Sequence, residues 1–176
     1  MYGLLQSLRD NAEETFIKLG YAEIELNFNY PKGTLVFLLG IRDEDELPNA
    51  LDSFFEENGK LLSGSGYTLK RNGVRITLSR KAVESFFSGF DENGFLSELY
   101  ALIGSHGVGL SDVEAVFSRH NKGARILDVE NEDFDAVIVC DGASDPYRYV
   151  FKFEDGHCDF HRLLSSDFDE IYANDN

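Results

Sequence analysis

The sequence is poor in the residues that mark disordered, disulfide-stapled or membrane-spanning chains. Its 176 residues include three prolines, two cysteines, one methionine and no tryptophan. The low proline content and the 43% of apolar residues together exclude disorder over the whole chain. Two cysteines, Cys140 and Cys158, fit a reducing compartment better than a disulfide framework. Apolar runs such as Leu35–Leu39 are far shorter than the ~20 residues of a membrane-spanning helix.

Positive charge is also scarce, with 16 Lys and Arg residues against 32 Asp and Glu residues. The resulting net charge of −16 repels nucleic acid and anionic membranes, so we expect neither as a partner. The charge is uneven, because 14 acidic residues oppose three basic ones from Ile126 onward. Six basic residues between Lys60 and Lys81 have no acidic residue among them. The amino-terminal residues show no signal-peptide pattern, and we expect a cytoplasmic protein.

The sequence does contain clear helical and strand periodicities. Apolar residues recur at helical spacing over residues 3–19, 46–57, 79–90 and 94–103, and Ser79 is a predicted helix cap. Alternation over Ile24–Tyr30 predicts an amino-terminal strand, and Asn72-Gly73 predicts a middle hairpin. Four alternating segments, 124–129, 134–141, 147–154 and 157–164, predict a carboxy-terminal antiparallel meander. We therefore predict a single α+β domain over residues 1–176, with helices packed on antiparallel sheet.

The carboxy-terminal hairpin supplies the candidate metal site. A two-residue turn at Asp155-Gly156 places His157, Asp159 and His161 on one strand face, because alternate residues of a strand point the same way. Two histidines and a carboxylate can ligate zinc or iron. The competing interpretation is a solvated face, since each residue then lies opposite a compatible neighbour on the other strand. We favour the solvated face and expect no cofactor.

The middle hairpin supplies a candidate anion site. A tight turn at Asn72-Gly73 pairs Lys70 directly with Arg75, and like charges in that position are destabilising. One explanation is compensation by the acidic remainder of the chain, which we favour. The other is that Lys70 and Arg75 contact an anion or an acidic partner.

Three stretches of the chain resemble a known family. They are IKLGYAEIELNFNYPKGTLVFLLG, the Asn72-Gly73 hairpin and FDAVIVCDGASDPYRYVFKFEDGHCDFHRLLSSDFDEI. Together they resemble the bacterial domain-of-unknown-function family 3877, most densely from Phe134 to Ile171. The resemblance implies a shared fold and a bacterial cytoplasmic setting.

No catalytic constellation emerges from these patterns. Cys158 and its neighbour His157 are predicted on opposite strand faces, which argues against a cysteine nucleophile activated by that histidine. We therefore predict a non-catalytic binding or interaction module with a protein or small-molecule partner. The alternatives are a hydrolase-like metal enzyme centred on the carboxy-terminal hairpin and an acidic inhibitor of a basic protein.

Overall fold

A computed structural model describes residues 3–20, 25–88, 90–128, 131–141 and 145–172. The chain divides into two compact units, Tyr2–Phe90 and Asp91–Asn176, which we call the amino-terminal and carboxy-terminal units. Each unit combines helices with its own antiparallel sheet, so the predicted α+β class is confirmed. The prediction that residues 1–176 form a single domain stays a prediction.

The amino-terminal unit contains a three-stranded sheet. Its helices are α1 (Leu4–Leu19), α2 (Lys32–Leu39), α3 (Leu47–Glu57) and α4 (Arg80–Phe87), with a short 3-10 helix at Glu44–Glu46. Its strands are β1 (Leu26–Tyr30), β2 (Gly66–Lys70) and β3 (Gly73–Leu78). The order β1-β3-β2 joins the predicted amino-terminal strand to the middle hairpin in one sheet. Ile24, the first residue of that predicted strand, lies outside the described residues.

One face of this sheet belongs to the core and the other is polar. The buried apolar residues of the inner face are Leu26, Tyr30, Val74, Ile76 and Leu78. The Tyr30 hydroxyl lies 3.0 Å from Ser7 Oγ and accepts a hydrogen bond from Asn11 Nδ2 at 2.9 Å, which ties β1 to α1. At the far end of β3, Ser79 Oγ accepts a hydrogen bond from Ala82 N and caps α4, as predicted.

The middle hairpin closes through Arg71-Asn72 rather than through Asn72-Gly73. Lys70 pairs with Gly73, and Thr68 pairs with Arg75, so the predicted Lys70–Arg75 pair is wrong. The reason lies on the other side of β3, where the end of β1 passes so close that a Cβ on Gly73 would lie 2.6 Å from the Tyr30 carbonyl oxygen. Gly73 is not among the glycines with positive φ. It permits a close approach of two backbones instead of a left-handed turn.

The carboxy-terminal unit contains the predicted meander. Its helices are α5 (Phe95–Ile103), α6 (Leu110–Arg119) and α7 (Ser165–Tyr172), and its strands are β4 (Ala124–Leu127), β5 (Ala136–Cys140), β6 (Tyr147–Glu154) and β7 (His157–Leu164). The strand order β4-β5-β6-β7 confirms four antiparallel strands in sequence order. Val129, the predicted end of the first of them, lies outside the described residues.

The hairpin of β6 and β7 has the predicted register. Asp155 and Gly156 have φ values of 51° and 78°, as a turn with two left-handed central residues requires. Glu154 therefore lies opposite His157, and Phe151 lies opposite Phe160.

Both faces of the carboxy-terminal sheet are covered by helices of the same unit. On the aromatic face, the Tyr149 ring packs edge-on against Phe95 of α5 and Phe117 of α6, with centroids 5.7 and 5.1 Å away. On the other face, Phe168 of α7 packs in a cluster with Val150 of β6. Within the described ranges, no helix has the length and apolar character needed to cross a membrane.

Candidate functional site

The three candidate metal ligands lie on one face of β7, as predicted. His157, Asp159 and His161 are exposed there. Lys152, opposite Asp159, reaches away from it, with its Nζ 3.9 Å from an Asp135 carboxylate oxygen. Across the part of the chain that the structure describes, no group of three His, Cys, Asp or Glu side chains is arranged to hold a metal ion. The geometry therefore offers no support for the metal-enzyme alternative.

A histidine from a distant segment covers the tip of this hairpin. The His106 ring lies edge-on to the His157 ring, with centroids 5.3 Å apart, and a side chain at Gly156 would overlap it. The loop is held there by the Gly107 amide, which donates to the Gly156 carbonyl at 2.8 Å. Both histidines remain exposed, and the contact joins the α5–α6 loop to the tip of the hairpin.

A polar cluster around Asp145 lies at the edge of the aromatic face. Tyr149 donates its hydroxyl to Asp145 Oδ2 at 2.9 Å, and Lys122 Nζ lies 3.6 Å from the same oxygen. Burial, followed by the Asp145 charge, raises the pKa of the Cys140 thiol to about 12 and also raises the pKa of the Tyr149 hydroxyl. Burial raises the pKa of Cys158 to about 11. These groups stay protonated at neutral pH, so neither thiol is an activated nucleophile.

A concave site lies between α6 and β4, and we call it the β4–α6 pocket. It has a volume of about 360 Å³. Phe117, Ile126 and Ile138 supply its apolar surface, and Phe117 and Ile138 are almost completely buried. Glu114 and Arg125 supply charged groups at its rim. Ile126 keeps 42% of its surface exposed, so its side chain is accessible to a ligand in the pocket.

The pocket adjoins an open sheet edge. β4 pairs only with β5 in the described sheet, and the Asp141 amide donates to the Gly123 carbonyl at 2.9 Å. Because residues of antiparallel strands alternate between bonded and non-bonded positions, the backbone groups of Ala124 and Ile126 point toward the open edge. Ala124 and Ile126 are also among the β4 residues that line the pocket. An apolar pocket and unpaired strand groups therefore occur together.

Lys70 and Arg75 lie in the other unit, on the exposed face of its sheet. They are diagonal neighbours on β2 and β3, since Arg75 is opposite Thr68. Arg75 Nε donates to Asn29 Oδ1 at 3.2 Å. Both cations thus share a face, although not the direct pairing that the turn pattern predicts.

A family model described as "Domain of unknown function, E. rectale Gene description (DUF3877)" matches residues 1–172. The chain belongs to this family. No curated protein and no solved structure matches the chain. The family match confirms the resemblance carried by the three stretches of sequence, and the site must be interpreted from its own chemistry.

The β4–α6 pocket was missed by sequence reasoning. Its lining residues come from a helix, a strand edge and the turn at Asn121 and Gly123, which have left-handed φ values of 51° and 55°. The sequence itself offers only an isoleucine, Ile126, beside Arg125 in a predicted strand. Such a residue is ordinarily read as one half of a strand alternation.

Proposed function

We propose that the protein is a non-catalytic protein-binding module and that the β4–α6 pocket is its binding site. The occupant is an extended segment of a partner protein, which adds a strand to β4 and places one apolar side chain in the pocket. The single observation that carries this proposal is the coincidence of the pocket with the open backbone edge at Ala124 and Ile126.

The dimensions of the site support a peptide segment. A volume of about 360 Å³ is near the lower end of ligand pockets and accommodates one large apolar side chain. The outward N–H and C=O groups of Ala124 and Ile126 supply main-chain hydrogen bonds of the kind used in strand addition. Main-chain pairing gives affinity in that mode, and the pocket gives specificity for one side chain.

The charge of the unit supports a basic segment. Residues 91–176 contain 19 acidic and 6 basic residues. At the pocket rim, Arg125 Nε lies 3.5 Å from an Asp141 carboxylate oxygen, whereas Glu114 is exposed on α6. We therefore propose Lys or Arg beside the apolar residue of the bound segment. The same charge opposes nucleic acid as a partner.

The chemistry of the described side chains supports binding rather than catalysis. The raised pKa values of Cys140 and Cys158 keep both thiols protonated, and both cysteines are free. Free thiols fit a reducing cytoplasm, and the family description supports a bacterial setting.

The proposal can be tested with a displayed library of random nine-residue peptides. Peptides selected on the wild-type protein should carry one bulky apolar residue with Lys or Arg at alternate positions. Their affinity, measured by fluorescence anisotropy, should fall at least about tenfold in Ile126→Lys, because a buried apolar contact of about 1.4 kcal/mol or more is replaced by a charge. Ile171→Lys, on α7 and 53% exposed, is the matched control and should bind normally.

A second measurement separates strand addition from simple pocket filling. Binding should slow hydrogen exchange at the amides of Ala124 and Ile126, which face the open edge. Peptides that are N-methylated at the alternate positions facing β4 should lose affinity, whereas methylation at the other positions should be tolerated. Equal binding of the selected peptides to Ile126→Lys and to wild type contradicts the proposed site.

The second candidate function is an acidic inhibitor of a basic protein, and the charge of the carboxy-terminal unit favours it. In that case binding to a basic model protein such as lysozyme should weaken steeply with salt and should be unaffected by Ile126→Lys.

A further inference from the structure

The exposed face of the amino-terminal sheet presents hydrogen-bond donors. Asn29 Oδ1 accepts from Arg75 Nε at 3.2 Å, and Asn27 Oδ1 accepts from Thr77 Oγ1 at 2.7 Å. Arg75 has only donors, so Asn29 presents its oxygen to Arg75 and its NH₂ group is not used in that contact. With the Lys70 ammonium on the same face, the outward groups are donors and cations.

A pocket of about 340 Å³ adjoins these donors at the end of the hairpin. Exposed Pro31 supplies an apolar side chain to its lining, and Asn29, Lys70 and Asn72 supply polar groups. Tyr30 and Val74 also border the pocket, but their side chains are buried on the inner face of the sheet. Arg75 does not line the pocket, but it orients Asn29, which does. The pocket thus combines an apolar surface at Pro31 with donor groups from Asn29 and Lys70.

Among the described residues, Lys70 and Arg75 lack the carboxylate partners that Lys32 and Arg80 of the same unit have. Lys32 Nζ lies 3.4 Å from a Glu44 oxygen, and Arg80 Nε lies 2.9 Å from Glu84 Oε1. Over residues 25–88, by contrast, no ion pair involves Lys70 or Arg75. A face with donors, cations and no carboxylate partner is complementary to an oxyanion.

We propose that this face and its pocket bind a small organic anion, a site separate from the peptide site of the carboxy-terminal unit. The phosphate or carboxylate group of the ligand is held by Lys70, Arg75 and the amide of Asn29, and its apolar part lies against Pro31. The site goes beyond the proposed protein-binding function and does not depend on it.

The probe is phenyl phosphate, titrated by calorimetry and by NMR against the full chain at constant ionic strength set with chloride. Benzoate tests the carboxylate form of the same ligand class. Inorganic phosphate should bind about tenfold more weakly than phenyl phosphate, because it lacks the apolar part. Phenol should not bind, because it lacks the oxyanion at neutral pH.

Three variants and one control test the residues. Lys70→Gln and Arg75→Gln should each weaken phenyl phosphate binding about tenfold, because each removes a charge-assisted contact. Asn29→Asp keeps an acceptor for Arg75 while replacing the outward donor by a carboxylate oxygen, so binding should disappear while the melting temperature is retained. Arg80→Gln, which removes a nearby cation already paired with Glu84, should leave binding unchanged.

Three outcomes overturn the proposal. The first is unchanged phenyl phosphate affinity in both Asn29→Asp and Arg75→Gln. The second is binding of phenol as tight as that of phenyl phosphate. The third is the absence of binding by both phenyl phosphate and benzoate, and if a poly-glutamate peptide binds this face in that case, the face belongs to an acidic protein segment. Since the peptide-library experiment uses Ile126 variants, failure at one site is distinguishable from failure at the other.

Discussion

Gly73 offers the sharpest test of the structure, because sequence and structure assign it different roles. An added Cβ would lie 2.6 Å from the Tyr30 carbonyl oxygen, whereas ordinary contact begins at 3.4 Å. β1 and β3 must therefore separate by about 0.8 Å, enough to break the hydrogen bonds at the end of their ladder. Gly73→Ala should lower the free energy of unfolding by about 2–3 kcal/mol, combining overpacking with lost hydrogen bonds.

Gly66 is the matched control, because it begins the neighbouring strand β2 and a Cβ there would meet nothing within 4 Å. Gly66→Ala should be neutral or should stabilise by about 0.4–1 kcal/mol through reduced freedom of the unfolded chain. Urea denaturation followed by far-UV circular dichroism measures both variants. Hydrogen exchange of the β3 amides gives the local readout that a chain with two compact units requires.

Gly73→Asn distinguishes the two roles. Asparagine tolerates the left-handed conformation that the Asn72-Gly73 turn pattern implies, so it would preserve stability if the turn selected this glycine. The close approach of Tyr30 predicts instead that Gly73→Asn is at least as destabilising as Gly73→Ala. Wild-type stability of Gly73→Asn, together with a destabilised Gly73→Ala, would refute the reasoning.

Three further predictions concern the carboxy-terminal unit. Phe151→Ala should destabilise the fold by about 3–5 kcal/mol, because Phe151 is fully buried, whereas His157→Ala should cost under about 0.5 kcal/mol, because His157 is exposed. Similar denaturation midpoints for the two variants would contradict the sheet packing. Hydrogen bonds, chiefly to His120, hold the pKa of Glu98 below its ordinary 4.5. The hydrogen bonds to the ionised Glu98 carboxylate therefore stabilise the folded chain at pH values above this pKa, and the stabilisation is lost when acid protonates the carboxyl group. Glu98→Gln should accordingly lower the melting temperature at neutral pH but not in strong acid. The Cys140 thiol, with a pKa of about 12, should react slowly with iodoacetamide at neutral pH until urea unfolds the chain.

The sequence alone determined the features that depend on neighbouring residues. Asp155-Gly156 forms the predicted turn because its conformation is set within the dipeptide, and the register of β6 and β7 follows from it. Period-two alternation likewise predicts the four-strand meander. The metal and anion candidates were placed on strand faces by the same rule, although facing residues alone do not form a site.

Only the tertiary structure decided the features in which distant segments meet. The Arg71-Asn72 turn replaces Asn72-Gly73 because the end of β1 occupies the space beside Gly73. His106 reaches the tip of the hairpin from the α5–α6 loop, and the β4–α6 pocket needs α6 beside an open edge. Local preferences offer a backbone several turns and a side chain several partners at similar free energy. Which one forms depends on the segment that passes alongside, and no pattern within a few residues records that segment.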